Sequence, residues 1–539
     1  MTTLIPKYEY PGSTTNRPFN KRLDELISVQ DFGAIGDGTT NDTAAIQAAI
    51  NACPVGGTLL GSGKTYKTTG VTVNKAITLN GINLLMFEIT PSQTAQDAFT
   101  ITHDNVTLVN CGAVITTTAL PNTQNSAGVF SDGYNNIVID GGLWDGSIDK
   151  IYTPGHYRGV IFIKDGANCV VKNTTTQNAY GEGLWIYDCT NPKVLNNVAK
   201  NAGGSEMVCS VITSGLVQGN TLIGNAVGGN SGMATSGNIT IIDNAVIDAS
   251  GYGIAHGEGG GEAGGLIANN YIVGYGKFGG ATNYAGILSQ GAVGLTVRNN
   301  RIGAPTLGAN GWGIAFLNGP KQFFCENNYI EGTSLENIYA LDGNGVMQAN
   351  ITGNILKNAK GWTIYIGNAK QLNIENNMMF NEFVTGSFSY FIYMDFNNTP
   401  QYINISGNKS RSYSLAYTGI VYISSALSSS TQYIQHGNIF LNWSSFVYPD
   451  TLNCNYDVRN DNYALTLKTD LVVLTNGGTT TTVTTSQVTK QNVVILQLAN
   501  AAAQTLNPAY RISSQSTGSF TITHTAGTAA NEQLRWTII

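Results

Sequence analysis

From residue 170 to about 440 the chain repeats a short pattern: an apolar residue, two positions of any kind, then asparagine. The asparagines are Asn173, Asn197, Asn220, Asn244, Asn270, Asn300, Asn328, Asn354, Asn377, Asn408 and Asn438, spaced 23 to 31 residues apart. Three residues before them stand apolar positions such as Val194, Val217, Ile241, Val297, Cys325 and Ile374. Two residues after them stand others, among them Leu222, Ile272 and Leu356. A period of this length, made of short β-runs between Gly and Asn turns, predicts a solenoid of stacked coils. Adjacent coils of a parallel β-helix are one strand spacing apart, about 4.8 Å. Asparagines stacked at one corner then hydrogen-bond to one another and to the turn backbone. In this register Cys325 belongs to the inward column and reads as core.

The head of the chain breaks the pattern. In "VQDFGAIGDGTTNDTAAIQAAINAC" (29–53), a glycine-rich turn precedes Asn41 and Asp42 in helix-capping position, and Ile46, Ala49 and Ile50 follow at helical spacing. A solenoid exposes an unpaired strand edge and an open apolar bore at each end. The helix expected over about 42–52 would plug the first of these. After about residue 458 the asparagine repeat gives way to alternating Val, Leu and Thr, which predicts a small β domain over 459–539. Residues 1–27, with Pro6, Pro11 and Pro18, read as an attachment segment, leaving 28–458 for the β-helix.

Composition narrows the function. Only 11% of the 539 residues are charged, the net charge is −6, and no basic cluster exceeds Lys21-Arg22. Nucleic acid is therefore an unsuitable partner, since binding phosphate needs concentrated positive charge. No apolar run reaches the roughly 20 residues that cross a bilayer, and the first residues carry no apolar signal core. The expectation is synthesis in a cytoplasm without membrane insertion. The seven scattered cysteines read as reduced core residues, not as a disulfide frame or zinc site. No nucleotide or metal motif appears, so no cofactor and no metal are expected.

Residues 29–53 resemble the opening of pectate-lyase-like right-handed parallel β-helix proteins. The longer lead-in "NRPFNKRLDELISVQDFGA" resembles that of bacteriophage tailspikes that depolymerise capsule or O-antigen polysaccharide. The motif covers residues 16–53, and the coil pattern carries the resemblance to about 440. It implies an all-β fold, a single-stranded right-handed parallel β-helix with its capping helix and C-terminal β domain. It further implies a homotrimer, a place on the virion tail reached through the N-terminus or an adaptor protein, and action on a bacterial surface polysaccharide.

Sugar-processing β-helices use outward-facing strand positions. Four segments align: "GEGLWI" (181–186), "GYGIAH" (251–256), "GWGIAF" (311–316) and "GWTIYI" (361–366). With Leu184, Ile254, Ile314 and Ile364 inward, the second position holds Glu182, Tyr252, Trp312 and Trp362, and "LENIYAL" adds Glu336. Together with Trp185, His256 and Arg158, these aromatics form the expected substrate-binding set, suited to stacking on pyranose rings; packing against a neighbouring chain is the competing reading. Glu182 and Glu206, one coil apart and each nine residues past a repeat asparagine, are the expected catalytic carboxylates, with Asp188 a third. Such a pair serves endo-glycosidic hydrolysis, one group as acid and the other as base or nucleophile. Two rivals stand beside it. "GHYRG" (155–159) would suit a lyase, with Arg158 neutralising a uronate and His156 or Tyr157 taking a proton. A non-cleaving adhesin would use the aromatics alone. "AHGEGGGE" (255–262) offers His256, Glu258 and Glu262 on a glycine-rich loop.

Overall fold

The computed structural model describes residues 26–86, 97–115, 127–146, 159–179, 181–224, 230–257, 263–278, 283–306, 308–342, 346–381, 391–396, 400–412, 421–424, 427, 431–441, 447–448, 456–458 and 463–465 of the main body, with 7–8 and 17–18 before it; beyond it, 468–473, 479–485, 494–498, 511–524 and 533–538 are described. The body is a parallel β-helix of three strand columns. The first column runs from Val71–Val73 to Val447–Tyr448, the second from Leu26–Ser28 to Tyr456–Val458, and the third from Asp37–Asn41 to Tyr463–Leu465. All neighbouring strands within a column pair in parallel, as Ile161↔Leu184↔Met207↔Met233 does in the first. Inward residues of every coil merge into one continuous apolar core, and Leu184, Ile254, Ile314 and Ile364 all lie within it, fully buried. Each such aliphatic side chain contributes roughly 1.5–3 kcal/mol.

The corner between the second and third columns is built from a dipeptide. Its first residue is left-handed (Asn196, Gly219, Asp243, Asn269, Asn299, Asn327, Gly353, Asn376, Gly407 and Gly437 all have φ between 54° and 68°), the backbone region that Asn, Asp and Gly tolerate best. Its second is an inward asparagine. From Asn197 through Asn408 each ladder asparagine accepts at Oδ1 and donates from Nδ2: Asn300, for instance, donates to Asn328 Oδ1 at 3.0 Å and to the Ile267 carbonyl at 3.0 Å, while its Oδ1 accepts from Asn270 Nδ2 at 2.9 Å and from Asn270 N–H at 3.0 Å. Asn438 ends the series by accepting from Asn408. At the other end the register is corrected by one residue: Asn173 is the left-handed, outer member of its pair, donating to Asp140, and Thr174 occupies the ladder position against Asn197. The outer corner is tight where glycine stands: a Cβ on Gly353 would lie 2.3 Å from Asn327 Oδ1.

The helix spans Thr43–Ala52, with Ile46, Ala49 and Ile50 fully buried. It stands between third- and second-column strands, in the place a first-column strand would otherwise take. Gln47 replaces the missing strand's hydrogen bonds: its amide donates to the Thr72 carbonyl at 3.0 Å and accepts from Thr72 N–H at 2.8 Å. The edge of the first strand in the column is thereby paired and the bore closed. Asp42 occupies the N-cap position but makes no side-chain cap bond: its carboxylate holds the N–H groups of Ile35 and Gly36, and Asn41 Oδ1 accepts from Thr43 N–H at 3.1 Å.

Parallel pairing begins at Leu26, within the segment read from sequence as attachment, and continues to Leu465, past residue 458. Beyond that, pairing turns antiparallel in two three-stranded sheets, Lys468–Val473, Gln533–Ile538 and Val494–Leu498 in one, Thr480–Thr484, Ser519–Thr523 and Arg511–Ser516 in the other. Phe520, Ile522, Leu534 and Trp536 form a buried cluster between them. The six described cysteines are buried and unpaired, Cys325 in the core as expected.

Replacing Asn300 by Ala removes the amide that meets the Ile267 carbonyl and leaves the Asn270 N–H without its acceptor in a dry corner; Asn328 Oδ1 keeps the backbone N–H of residue 300. Chemical denaturation should show a loss of about 2–4 kcal/mol. Asn299→Gly, at a left-handed position, should stay within about 0.5 kcal/mol of the parent. Equal losses from the two would mean that the inward ladder does not carry the corner.

Candidate functional site

Along the outward side of the first column, one position per coil stacks in register. From Phe130 it reads Phe162, Trp185, Val208, Ala234, Ala255, Leu288, Ala315, Tyr339, Tyr365, Tyr393 and Tyr422. Aromatic rings occupy both ends and small or aliphatic side chains the middle. In the first group Phe162 stacks on Trp185 at 4.7 Å, and Tyr187 meets Trp185 edge-on at 6.0 Å. In the middle, Ala255, Ala285, Leu288 and Ala315 are buried as a separate apolar cluster against Tyr252, Trp312 and Tyr339.

The last group is a tyrosine ladder. Tyr339, Tyr365, Tyr393 and Tyr422 stack at 4.7, 5.5 and 4.9 Å with planes within 17° of parallel. Its repeat distance is that of the coils, so the β-helix itself sets the stack. Trp312 fills the place above small Ala315 and stacks on Tyr339 at 4.8 Å, while Trp362 lies against Tyr393 at 4.2 Å. Because the ring faces cover one another, the ladder offers a strip of ring edges and phenolic hydroxyls. Trp312 and Trp362, expected to stack on sugar rings, each pack against a ladder tyrosine. All four tyrosines carry a sequence signature, an apolar-Tyr-apolar triplet (Ile338-Tyr339-Ala340, Ile364-Tyr365-Ile366, Ile392-Tyr393-Met394, Val421-Tyr422-Ile423), which the reading of turn positions passed over.

Two carboxylates bear on this strip from opposite ends of the strands. Glu336 precedes its strand; Asp395 ends the strand of Tyr393. Burial, and after it the charges of Glu336 and Asp395, raises the Tyr339 phenol above its usual range; burial, then the neighbouring Tyr339 phenol, Asp395, Tyr393 and Glu336, raises Tyr365. Both hydroxyls therefore stay protonated donors. Glu336 is 6% exposed, and its Oε2 accepts from the Trp312 indole N–H at 2.7 Å. Burial lifts its carboxyl above the ordinary range, against hydrogen bonds from its own N–H, the Trp312 indole and the Trp362 N–H. Glu336 thus ties Trp312, on its own rung's neighbour, to the turn of the following coil.

The expected catalytic pair is not a groove pair. Glu182 is half-buried and its Oε2 accepts from Ser205 N–H, packing over Gly204 in the next coil's turn. Strand register sets Gly183, not Glu182, opposite Glu206, since Leu184 pairs with Met207. Glu206 is 1% exposed and accepts from Ala202 N–H at 3.2 Å. Burial pushes its carboxyl well above the usual range, the Ala202 and Asn201 N–H groups oppose this, and the Glu182 charge adds to it. Two neighbouring acids did arise, but as braces of turn backbone. Asp188 is an exposed left-handed corner residue (φ 47°), aligned with left-handed Asp165 one coil earlier.

His256 is also corrected: it points inward and is fully buried. Its Nε2 lies 2.9 Å from the Gly264 carbonyl, which can only accept, so the proton sits there, and Nδ1 accepts from the Thr235 hydroxyl at 2.8 Å. Burial lowers it to about 4. Tyr252 is half-buried, edge-on to Tyr284 at 5.4 Å. Of the proposed substrate-binding residues, the structure gathers Trp312 and Trp362 into the tyrosine strip and places Trp185 in the other aromatic group. Arg158, with His156 and Tyr157, and also Glu258 and Glu262, lie outside the described residues.

Comparison with known proteins agrees with this architecture. Residues 92–234 match the family described as right-handed beta helix region, which defines the class and the hand of the coil. Residues 34–75, the capped opening, match the N-terminal extension of bacteriophage endosialidase. The capsule K30/K69-specific depolymerase of Klebsiella phage K64-1 is 29% identical over 178 residues, covering 32% of this chain and 21% of that protein. Mannuronan C5-epimerase AlgE3 of Azotobacter vinelandii is 25% identical over 239 residues, covering 42% of this chain and 12% of the other. The matched stretches are thus a small part of those relatives. A tailspike of E. coli bacteriophage HK620, solved with a pentasaccharide, aligns over 99% of this chain and 96% of its own at 12% identity and a TM-score of 0.49; the fold rests on the strand ladders and not on that superposition. The endosialidase extension and the phage depolymerase bear out the resemblance to phage tailspike depolymerases read from the opening of the chain.

The two buried titratable groups give opposite pH signatures. Stability linked to Glu206 is complete below the ordinary carboxylate range and is lost as pH rises through its raised folded value. Stability linked to His256 is present above 6.5 and is lost as pH falls toward about 4, up to about 3 kcal/mol. Thermal melts from pH 4 to 9 should show Glu206→Gln gaining at the alkaline end and His256→Gln flattening the acid side. An alkaline profile unchanged by Glu206→Gln would mean that the carboxyl is already ionised and solvated.

Proposed function

We propose that this chain is a tailspike-type depolymerase that binds a bacterial capsule or O-antigen polysaccharide along the outward face of the first strand column and cuts it by endo-glycosidic hydrolysis. The observation that carries the reading is the in-register strip of Tyr339, Tyr365, Tyr393 and Tyr422, flanked by Trp312 and Trp362, on a parallel β-helix. Phenolic hydroxyls repeated once per coil match the hydroxyls of a glycan laid along the axis, and the aromatic edges supply apolar contact. Glu336 is the proton donor in this reading: burial raises its carboxyl above the ordinary range, the direction that suits a general acid.

Charge supports hydrolysis over β-elimination. A lyase needs a cation against the uronate carboxylate, whereas the charges that act on the Tyr339 and Tyr365 phenols are the acids Glu336 and Asp395. The working particle in this reading is a homotrimer on the virion tail, docked through the segment before the β-helix, directly or by an adaptor. The similarity to a phage capsule depolymerase and to the endosialidase extension supports that placement.

Purified capsular and O-antigen polysaccharides, incubated with the protein and sized by chromatography, test the reading. The parent should shorten one of them, and Glu336→Gln should slow this by about 100-fold or more while still binding. Glu182→Gln, with an unaltered melting temperature as its control, should cut at the parental rate. Products absorbing as unsaturated uronates would replace the hydrolase by a lyase. Polysaccharide bound yet never shortened would leave an adhesin. Parental cutting by Glu336→Gln would remove Glu336 from the chemistry.

A further inference from the structure

The outward face of the second column carries a different surface, near the C-terminal end of the β-helix. Two lanes of side chains run along the axis there. One holds Gln348, Gln371, Tyr402 and Gln432 in register, the other Asn350, Asn373 and Asn404. Between them lies a cleft of about 380 Å³ lined by Gln348, Gln371, Gln432, Asn350, Asn373 and Tyr402 together with Ala349 and Gln401, with no charged side chain in its lining. Across four coils it extends roughly 14 Å along the axis.

The asparagine lane starts a ladder whose amides donate to the preceding coil, the reverse of the inward one, and then fails in one place. Asn373 Nδ2 donates to Asn350 Oδ1 at 2.9 Å, the rung-to-rung bond of a ladder. The next rung should continue with Asn404 donating to Asn373. Instead Glu375 captures the Asn404 amide, and Ser406 donates to the same carboxylate at 3.3 Å. Asn373 Oδ1 is consequently buried with no hydrogen-bond partner; Asn404 Oδ1 is buried without one as well, its next rung being Ile434, and Asn404 is only 8% exposed. An acceptor buried without a donor costs about 1–3 kcal/mol. The inward ladder, with the same residue type and the same spacing, leaves no such oxygen among Asn197 to Asn408.

We infer that this amide cleft is a second glycan-binding site, separate from the tyrosine strip, and that it takes an uncharged, hydroxyl-bearing stretch of polysaccharide. Its lining asks for O–H or amide N–H donors at the Asn373 oxygen and for acceptors at the Gln348, Gln371 and Gln432 amides. A sugar hydroxyl is both. A carboxylated sugar would meet no cation in the lining and would supply acceptors where a donor is missing. The strip and the cleft face outward from different columns of the same coils, so a long chain held in the cleft stays tethered while another segment is presented to the strip. Such tethering raises the local concentration of substrate without new contacts at the strip. The inference does not rest on the depolymerase reading, since a site that only grips would keep it.

The test is binding of the full chain to immobilised capsular and O-antigen polysaccharides, grouped as uncharged or uronate-bearing. Glu336→Gln serves as the background, so that cutting does not remove the probe. Gln371 and Gln432 are exposed, so Gln371→Ala with Gln432→Ala tests the cleft with little risk to folding; Asn373→Ala tests the orphaned oxygen. Affinity for an uncharged polysaccharide should fall tenfold or more in the double variant and in Asn373→Ala, with oligomeric state unchanged by light scattering. Affinity within twofold of the parent, binding confined to uronate-bearing polymers, or binding to no uncharged polymer would each overturn the inference. A change of oligomeric state in the double variant would assign the cleft to a subunit contact instead. Loss of cutting in Glu336→Gln with cleft binding intact would bear on the strip alone, so the two readings fail separately.

Discussion

The inward asparagine ladder is the constraint on which the molecule depends. Every other repeated feature needs the coils to stack in fixed register, and that register is held at one corner by a side chain that both donates and accepts. Apolar packing alone does not do this, because a core of Ile, Val and Leu tolerates sliding along its own axis. A carboxamide cannot slide: its Nδ2 reaches the preceding coil's carbonyl and the following asparagine's oxygen together. The left-handed residue beside it turns the chain so that the amide points inward. The same dipeptide thus fixes direction and spacing.

Register is then amplified outward. Once each coil is pinned, one outward position per coil stacks on the next at strand spacing, and any residue type repeated there becomes a ladder. The tyrosines of the first column and the amides of the second are two such ladders with different chemistry. Tyrosine stacks leave edges and hydroxyls, protonated because burial and nearby acids suppress ionisation. The amide lane, interrupted by Glu375, leaves unfilled acceptors. The N-terminal helix belongs to the same logic, since Gln47 supplies the two backbone-like bonds that a missing strand would have made.

Acids in this chain illustrate how a scarce residue can mislead. With few charges present, a Glu just before a strand stands out, and Glu182 and Glu206 look like a catalytic pair. In the fold, a glutamate at that junction reaches the N–H groups of a turn, its own in the case of Glu206 and the next coil's in the cases of Glu182 and Glu336. Glycine at 204 and at 361 makes room for the carboxylate. The bracing role explains why the acids sit there. What sets Glu336 apart is only its setting, since it holds Trp312 over the start of the tyrosine strip.

The period, the inward column, the plugging helix and the change to a different β style near the C-terminus were legible in the sequence by itself. They follow from short-range rules: side chains alternate along a strand, Asn and Gly mark left-handed corners, and an apolar stripe at helical spacing must be covered. The triplets around Tyr339, Tyr365, Tyr393 and Tyr422 were equally legible. Tertiary structure decided the rest. Asn173 and Asn196 differ from their neighbours Thr174 and Asn197 only in which member of a pair turns inward, and a one-residue shift there moved Glu182 out of line with Glu206. Whether His256 or Glu206 faces a groove or the interior is decided only once the coils stack. The Thr235 hydroxyl that meets His256 comes from the preceding coil, whereas the Gly264 carbonyl and the Ala202 N–H lie only eight and four positions from the side chains they hold; it is the burial of both side chains under neighbouring coils, not these local bonds, that no sequence pattern announces.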